Sequence, residues 1–225
     1  MKIIVIGATG VIGAEVATRL SVEHEVIRAS RRGPVTVDME NPDSIAALFA
    51  AVPGVDAVVC AAAGTPLAPL DSGDDPRHGM QGKLFGQVQL ARTAVKYLRD
   101  GGSITLTSGV FDRPEPGMSF GALVNAGLEA FVAAAAVEMP RGLRINTVSP
   151  GWVAETLRLL ERDAAEGTPV RDVAAAYVSA VTGSDQGTRH CDPSDRPSRR
   201  RCADRSRPPT GRSGHTPVRW PTSCR

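Results

Sequence analysis

The stretch that decides the fold is Ile3-Ile4-Val5-Ile6-Gly7-Ala8-Thr9-Gly10-Val11-Ile12-Gly13. Its four aliphatic residues predict a strand that is buried on both faces. Three glycines follow at positions 7, 10 and 13, and residues 14–20 then predict a helix. Such a strand, glycine turn and helix can bind a pyrophosphate, because the helix N-terminus offers free N–H groups and the positive end of its dipole. An ordinary strand-to-helix turn is the alternative interpretation.

Strand and helix patterns alternate after this unit. Strands are predicted at 24–30, 35–38, 55–61, 103–108 and 143–148. Helices are predicted from residue 42, at 83–98 and 119–139, and near 153–166 and 170–182. Helical crossovers between short buried strands indicate an α/β fold, a doubly wound parallel sheet with helices on both faces. Ligands of such sheets bind at the carboxyl ends of the strands.

The composition of the 225-residue chain is that of a globular protein, with 42% hydrophobic residues and a formal net charge of +2. We find no apolar run of the about 18 residues that a membrane span requires, and no secretory signal. Residues 1–188 contain a single cysteine, Cys60, so a disulfide framework is not expected. A cytoplasmic protein without membrane contact is therefore predicted.

Several short motifs occur in the order and spacing of one known family. They are the glycine turn at 7–13, Asp38, Ala61-Ala62-Ala63-Gly64, Ser108, Asn146 and Ser149-Pro150-Gly151. Residues 1–188 thus resemble the short-chain dehydrogenases/reductases. The resemblance implies a Rossmann-type single domain, a nicotinamide dinucleotide, and hydride transfer between a small carbonyl substrate and its alcohol. It also implies a homodimer or homotetramer packed through the helices at 83–98 and 119–139.

The same resemblance assigns residues to the dinucleotide. The expected cofactor-binding residues are Gly7, Thr9, Gly10, Val11, Ile12, Gly13, Ser30, Arg31, Arg32, Asp38, Ala61, Ala62, Ala63, Gly64, Pro150, Gly151 and Val153. Where an acidic residue would bind the ribose of NAD, this chain has Ser30 followed by Arg31 and Arg32. Guanidinium groups pair with phosphate through charge-assisted hydrogen bonds, so NADP(H) is the predicted cofactor. Two solvated surface arginines are the alternative.

The catalytic residues depart from the family pattern. The family's tyrosine and lysine fall on Gly121 and Asn125, and the two tyrosines of the chain, Tyr97 and Tyr177, lie elsewhere. Ser108 matches the family serine and is expected to hydrogen-bond a substrate carbonyl.

Lys83 stands where the family has an asparagine, so Lys83 and Asn125 exchange the two residue types. We expect this pair to replace the ribose contact or to order a water that shuttles the proton. A desolvated lysine can act as an acid or base. An exposed helix lysine is the alternative.

Residues 189–225 differ in composition from the rest of the chain and are expected to form a basic, disordered tail. This segment has ten Arg, six Pro and five Ser, and its larger apolar side chains are Val218 and Trp220. The final strand that the family would have near 188–192 is not recognisable.

Three interpretations of the tail remain open. It could be an arginine-rich arm for nucleic acid or anionic surfaces, or a metal site of Cys191, Cys202, His215 and Cys224. The third, which we favour, is out-of-frame translation of a GC-rich gene. We expect no metal site, because the cysteines lack a Cys-x-x-Cys pair, and we do not expect nucleic acid as a partner.

Two functions are consistent with the sequence. One is an NADP(H)-dependent oxidoreductase that reduces a small carbonyl substrate, or oxidises the alcohol, with a non-standard active site. The other is an NADP(H)-binding sensor or regulatory protein without hydride transfer.

Overall fold

The computed structural model describes residues 1–191 except 63, 66, 74, 76, 112 and 114. The described residues lie within one compact unit. They form seven strands, β1 Lys2–Ile6, β2 Glu25–Ser30, β3 Val35–Thr36, β4 Ala57–Cys60, β5 Ser103–Thr107, β6 Arg144–Ser149 and β7 Arg189–Cys191. The strands are parallel and their spatial order is β3-β2-β1-β4-β5-β6-β7. The predicted doubly wound parallel sheet is confirmed.

Helices cover both faces of this sheet. They are α1 Val11–Leu20, α2 Pro42–Ala51, α3 Arg77–Gly79, α4 Gly86–Tyr97, α5 Ser119–Ala135, α6 Ala154–Leu159 and α7 Val170–Thr182. Helices α2, α4 and α5 pack on one face, and α1 and α7 pack on the other. Strand β1 serves both cores, because Ile4 and Ile6 face one and Ile3 and Val5 face the other. This alternation is why the sequence of β1 is apolar without interruption.

The long helix predicted at 83–98 begins earlier and is not uniform. A π-helical turn, Met80–Phe85, joins α3 to α4. The buried Gln87 Nε2 donates to the Lys83 and Thr107 carbonyl oxygens, each at 2.9 Å, and Gln87 Oε1 accepts from the Thr107 N–H at 2.8 Å. Gln87 thereby fastens the π-helical turn to the end of β5. Such single-turn π segments are frequent at functional sites.

The helix predicted near 153–166 is shorter than expected. Helix α6 ends at Leu159, and a separate 3₁₀ turn follows at Ala164–Glu166. Glu161 has a φ of 56°, a left-handed conformation that breaks the helical path between them.

Strand β7 corrects the expectation that the final strand is missing. It pairs with β6 at Thr147, Val148 and Ser149. Asn146 guides the chain into it, donating to the Asp185 carbonyl at 2.8 Å and accepting from the Thr188 N–H at 2.9 Å. The strand was not recognised because main-chain and Asn146 bonds, rather than apolar side chains of its own, hold it. Cys202, His215 and Cys224 lie outside the described residues.

Helix α5 has the length and composition of a membrane span. Of the described helices, only the segment Ser119–Glu138 passes that test, and Asn125 and Glu129 interrupt its apolar residues. Val124, Leu128 and Val132 are at most 1% exposed and belong to the core beneath the sheet. The small apolar residues of α5 thus pack against the sheet as those of a core helix do.

Candidate functional site

A cavity of about 710 Å³ opens at the carboxyl ends of β1, β2 and β4. Many of the residues expected to bind the dinucleotide line it, namely Gly7, Thr9, Gly10, Ser30, Arg31, Arg32, Asp38, Ala61, Ala62 and Gly64. Val37, Met39, Glu40 and Gly82 were not expected and also line it. The cavity lies where open parallel sheets bind their ligands.

The glycine turn of this cavity leaves no room for side chains. Gly7 has a φ of 85°, and a Cβ there would lie 2.7 Å from the carbonyl carbon and oxygen of Ala61. A Cβ on Gly13 would lie 2.2 Å from the Gly7 oxygen. Gly10 caps α1 without a side-chain hydrogen bond, so side chains do not occupy the first N–H groups of the helix. The turn therefore fits an anionic group held by the main chain.

The other expected cofactor residues lie outside the cavity lining. Gly13 is buried beneath the turn, Ile12 packs against the core, and Val11 lines a separate surface cavity with Glu155. Ala63 lies outside the described residues.

The segment after β6 is likewise not part of the cavity. The Pro150 carbonyl accepts from the Val110 N–H at 3.0 Å. Val153 is 4% exposed and belongs to the core on the α1 and α7 face. Gly151 lies between them and does not line the cavity either. None of the three lines the cavity, although Val153 shares the α1 and α7 core with Ala8 and Ile12 of the glycine turn.

Arg31 and Arg32 are exposed at the mouth of the cavity. Neither forms an ion pair with a carboxylate among the described residues. Ser30 shapes the loop that carries them, because its hydroxyl contacts the Arg32 carbonyl and accepts from the Arg32 N–H at 3.3 Å. Two guanidinium groups thus lie at one wall of the cavity, and neither is within ion-pair distance of a carboxylate in the described part of the chain.

Asp38 lines the same cavity and also makes a local turn. Its Oδ1 accepts from the Glu40 N–H, and its own N–H donates to Ser44 Oγ, both at 3.0 Å. The carboxylate is exposed, so one oxygen remains accessible. This geometry is compatible with a contact between Asp38 and a ligand of the cavity and with its role in the turn before α2.

Ser108 is engaged by a carboxylate that the sequence reasoning missed. Its hydroxyl donates to Glu129 Oε1 at 3.0 Å, and Ser149 donates to the same oxygen at 2.7 Å. The two serine hydroxyls also contact each other. Arg189 of β7 lies 3.3 Å from Glu129 Oε2. The single proton of Ser108 is therefore directed either at Glu129 or at Ser149.

One sequence signal could have identified Glu129. It follows Asn125 by four residues, so both lie on one face of α5. Glu129 is bonded by Ser108, which follows β5, by Ser149 at the end of β6, and by Arg189 at the start of β7. Because these residues are far from Glu129 in the sequence, their contacts with it could not be predicted from residue spacing.

The position of the missing tyrosine is covered by an aromatic ring. A Cβ on Gly121 would lie 3.1 Å from two ring carbons of Phe111. Phe111 is tilted against Trp152 with ring centroids 6.5 Å apart, and the Arg162 guanidinium lies 5.0 Å above the Trp152 ring. The rings of Phe111 and Trp152 thus lie in the space next to Gly121 that the side chain of a tyrosine at this position would enter.

Asn125 and Lys83 occupy different surroundings. Asn125 is 5% exposed, and no donor among the described residues reaches its Oδ1. Lys83 lies in the π-helical turn next to Gly82 and close to Cys60. Burial lowers the pKa of Lys83 to about 8, partly opposed by Cys60, and burial raises the pKa of the Cys60 thiol to about 12. No described hydrogen bond joins Lys83 to Ser108 or Asn125, so the three expected catalytic residues do not form one bonded cluster.

The two tyrosines are not at the site, as predicted. Tyr177 is fully buried and its hydroxyl bonds Thr107 Oγ1 at 2.7 Å. Burial raises its pKa far above the ordinary value. Tyr97 stacks on Phe49 at 5.6 Å on the far side of α4. Neither phenol is available as the missing acid.

A second, smaller cavity of about 330 Å³ lies between the segment after β5 and helix α5. Apolar side chains and four polar ones line it, the latter being Glu115, Ser119, Asn125 and Glu129, together with the guanidinium of Arg189. Across the described residues, no group of His, Cys, Asp or Glu could hold a metal ion. The two cavities and the network between them constitute the candidate site.

Comparisons with known proteins agree with this architecture. A family model described as Enoyl-(Acyl carrier protein) reductase matches residues 8–178. No curated protein matches the chain by sequence. Among solved structures, the protein lin1944 from Listeria innocua is 38% identical with a TM-score of 0.81, over 85% of this chain and 98% of that one.

Two further crystal structures are similar over 85% of this chain and 95% of theirs, each with a TM-score of 0.74. One is a small-chain dehydrogenase at 28% identity. The other, at 27% identity, is a small-chain dehydrogenase in complex with NADPH.

Proposed function

Because the chain belongs to the short-chain dehydrogenase/reductase family, we propose that it is an NADP(H)-dependent oxidoreductase with a non-standard active site. Its reaction is the reduction of a small carbonyl substrate or the reverse oxidation of the alcohol. The observation that carries the proposal is the pair of unpaired guanidinium groups, Arg31 and Arg32, at the wall of the glycine-lined cavity.

The residues present fit NADP(H). A pyrophosphate would be held by the main chain of the turn from Gly7 to Gly10, where a Cβ on Gly7 would collide with Ala61. A ribose 2′-phosphate would be held by Arg31 and Arg32. The NADPH bound to the 27% identical dehydrogenase supports the same cofactor here. When bound, the nicotinamide supplies or accepts the hydride.

We expect side chains of this protein to donate or accept the proton that is transferred to or from the substrate oxygen. Lys83, with its pKa lowered to about 8, has both protonation states available near neutral pH, which suits an acid or base. It would act on the substrate oxygen directly or through a water. Asn125 offers an unpartnered amide oxygen to a ligand hydroxyl. Ser108 would contribute through Glu129 rather than by donating freely to a carbonyl.

A second candidate function is a dinucleotide sensor or regulator without hydride transfer. The observation that favours it is the Phe111 ring over Gly121, which crowds the position where the family has its tyrosine. The two candidates share the cofactor cavity and differ only in turnover.

The test is a pair of measurements on the full chain. NADPH fluorescence titration and thermal shift should show binding under either function. Oxidation of NADPH with a panel of ketones, aldehydes and quinones should occur only if the protein is an enzyme. Lys83→Ala and Ser108→Ala should each lower that rate, whereas the exposed Lys96→Ala on α4 should not. Unchanged rates in both site variants would remove these residues from catalysis.

The proposal also includes the oligomeric state of the protein and its cellular compartment. Phe85, Tyr97 and Leu123 on the outer faces of the π-helical turn, α4 and α5 are 55%, 45% and 53% exposed. Apolar surface on these helices supports a homodimer or homotetramer packed through them. We place the protein in the cytoplasm, and we retain an out-of-frame origin for the basic segment beyond β7, which sequencing of the gene near codon 188 would test.

A further inference from the structure

Gln87 is a fully buried glutamine on the face of α4 that packs against the sheet. Its neighbours on this face, Leu90, Ala91 and Ala94, are apolar and at most 1% exposed. Burying an amide costs free energy unless its polar atoms are hydrogen-bonded, so an apolar side chain would serve the packing of α4 at least as well. The reason for a glutamine here therefore lies in its directional hydrogen bonds.

The amide of Gln87 joins two segments of main chain. Its Nε2 donates to the carbonyl oxygens of Lys83 and Thr107, each at 2.9 Å, and its Oε1 accepts from the Thr107 N–H at 2.8 Å. Both N–H groups of the amide are thus used, and the reversed amide would place its oxygen against two carbonyls. In this one orientation the side chain bridges the π-helical turn and the end of β5.

Thr107 is a firm point of attachment for this bridge. Its hydroxyl donates to the Cys60 carbonyl oxygen at the end of β4 and lies 2.7 Å from the Tyr177 hydroxyl of α7. Thr107 is therefore tied both to the neighbouring strand and to the helix on the opposite face of the sheet. Because Ser108 is the next residue, the same ties hold the main chain that carries Ser108.

The Lys83 amine depends on the main chain of its turn for its position. Among the described residues, no carboxylate forms an ion pair with it. The titratable group next to it is the Cys60 thiol, and burial raises the pKa of that thiol to about 12, so the thiol is neutral. The amine thus has no charged partner to hold it, whereas the Lys83 carbonyl is bonded by Gln87.

We infer that Gln87 is a positioning residue of the proposed reaction: its amide holds the Lys83 main chain against Thr107 and thereby keeps the Lys83 amine in place relative to Ser108. The inference rests on the proposed function, in which Lys83 is the acid or base. Gln87 lines neither the dinucleotide cavity nor the smaller one, so it acts through Lys83.

Two variants of Gln87 and one control test this role. Gln87→Met keeps the length of the side chain and removes its hydrogen bonds. Gln87→Asn keeps an amide but is one methylene shorter, so it cannot reach both Lys83 and Thr107. The control is Gln89→Met, the same change at a residue of α4 whose side chain bonds only Thr93. Thermal melting checks that each variant is folded.

The first measurement is the pKa of the Lys83 amine in protein without dinucleotide. The chain has three lysines, Lys2, Lys83 and Lys96, and NMR of isotope-labelled lysine Cε follows each of them, with Lys83→Met to assign the signal. Wild type and Gln89→Met should have a Lys83 pKa of about 8. Both Gln87 variants should raise it by at least about one unit, because a loosened turn lets water reach the ammonium.

The second measurement is steady-state NADPH oxidation with the carbonyl compound of the panel above that wild type reduces fastest. Both Gln87 variants should lower kcat at least about tenfold, since a small displacement of a catalytic group has effects of this size. The dissociation constant of NADPH should stay within about twofold of wild type, because Gln87 does not line the dinucleotide cavity. Gln89→Met should retain wild-type kcat.

The inference is overturned if the folded Gln87 variants keep either the wild-type pKa of Lys83 or the wild-type kcat. A lower kcat with an unchanged Lys83 pKa would mean that Gln87 only supports the fold, and unfolding of both variants would have the same meaning. Absence of turnover in wild type would contradict the proposed function instead. In that case the pKa of Lys83 in the Gln87 variants still decides whether Gln87 positions the amine.

Discussion

The ring of Phe111 lies over Gly121, with two ring carbons 3.1 Å from the point that a Cβ on Gly121 would occupy. Gly121 belongs to helix α5, so a larger side chain there is compatible with the backbone and requires the Phe111 ring to shift. The family's tyrosine falls on Gly121, so Phe111 stands against the position from which the phenol would extend.

Restoring the tyrosine and lysine alone should consequently fail. We expect Gly121→Tyr/Asn125→Lys to leave carbonyl reduction within about threefold of wild type, because Phe111 occupies the space of the phenol. Adding Phe111→Ala should raise kcat/KM by about 100-fold, the lower range of general acid catalysis. Steady-state NADPH oxidation measures both, with Phe111→Ala alone as the control. If Gly121→Tyr/Asn125→Lys alone showed the full increase in kcat/KM, the Phe111 ring would have to move out of the way of the phenol.

Arg31 and Arg32 should determine the choice between the two nicotinamide dinucleotides. Arg31→Ala/Arg32→Ala removes two donors to a 2′-phosphate and should weaken NADPH binding by about 100-fold, while NADH binding changes little. Fluorescence titration with both dinucleotides measures this. The exposed Arg92→Ala on α4 is the matched control. Equal losses for NADPH and NADH would mean that the arginines contact something other than the phosphate.

Lys83 should make stability depend on pH. Burial lowers its pKa from 10.5 to about 8, so between these values the unfolded chain holds a proton that the folded chain has released. The free energy of unfolding therefore rises with pH across that interval. Lys83→Met should be more stable than wild type below about pH 8, by up to about 3 kcal/mol, and this advantage should shrink as the pH rises. Urea denaturation from pH 6.5 to 9.5 measures it, and a difference independent of pH would contradict a desolvated ammonium.

We expect Gln87 to contribute more to the free energy of unfolding than a helix glutamine usually does. Gln87→Ala leaves the buried N–H and carbonyl of Thr107 without their partner, which should cost about 3 kcal/mol. Gln89→Ala, two residues along the same helix, loses only a partly buried bond to Thr93 and should cost less than about 1 kcal/mol. Urea denaturation at one pH compares them. Similar costs for the two variants would mean that the π-helical turn is not fastened through Gln87.

The parts of the fold that were predicted correctly are those encoded by patterns of neighbouring residues in the sequence. The uninterrupted apolar run of β1 and the glycines at 7 and 13 describe one strand and one close approach, so neighbouring residues contain the whole signal. The main lining of the dinucleotide cavity follows from that unit and from the ends of β2 and β4.

The smaller cavity was not predictable in the same way. Its carboxylate, Glu129, acquires its role from Ser108, Ser149 and Arg189, which are 20 to 60 residues distant. The π-helical turn was missed for a related reason, since Gln87 bonds a strand 20 residues away. Tertiary hydrogen bonds of this kind leave no periodic trace in the sequence.

Strand β7 has a consequence for how the molecule is made. The dinucleotide cavity is lined by residues 6–82, whereas the smaller cavity takes residues from 109 to 189, the last of them Arg189. During synthesis the chain leaves the ribosome from its N-terminus, so the residues of the first cavity emerge well before those of the second. Helix α1 packs on α7, so the cofactor part of the site is itself complete only when residues 170–182 have followed. The charge that balances Glu129 arrives last, with Arg189.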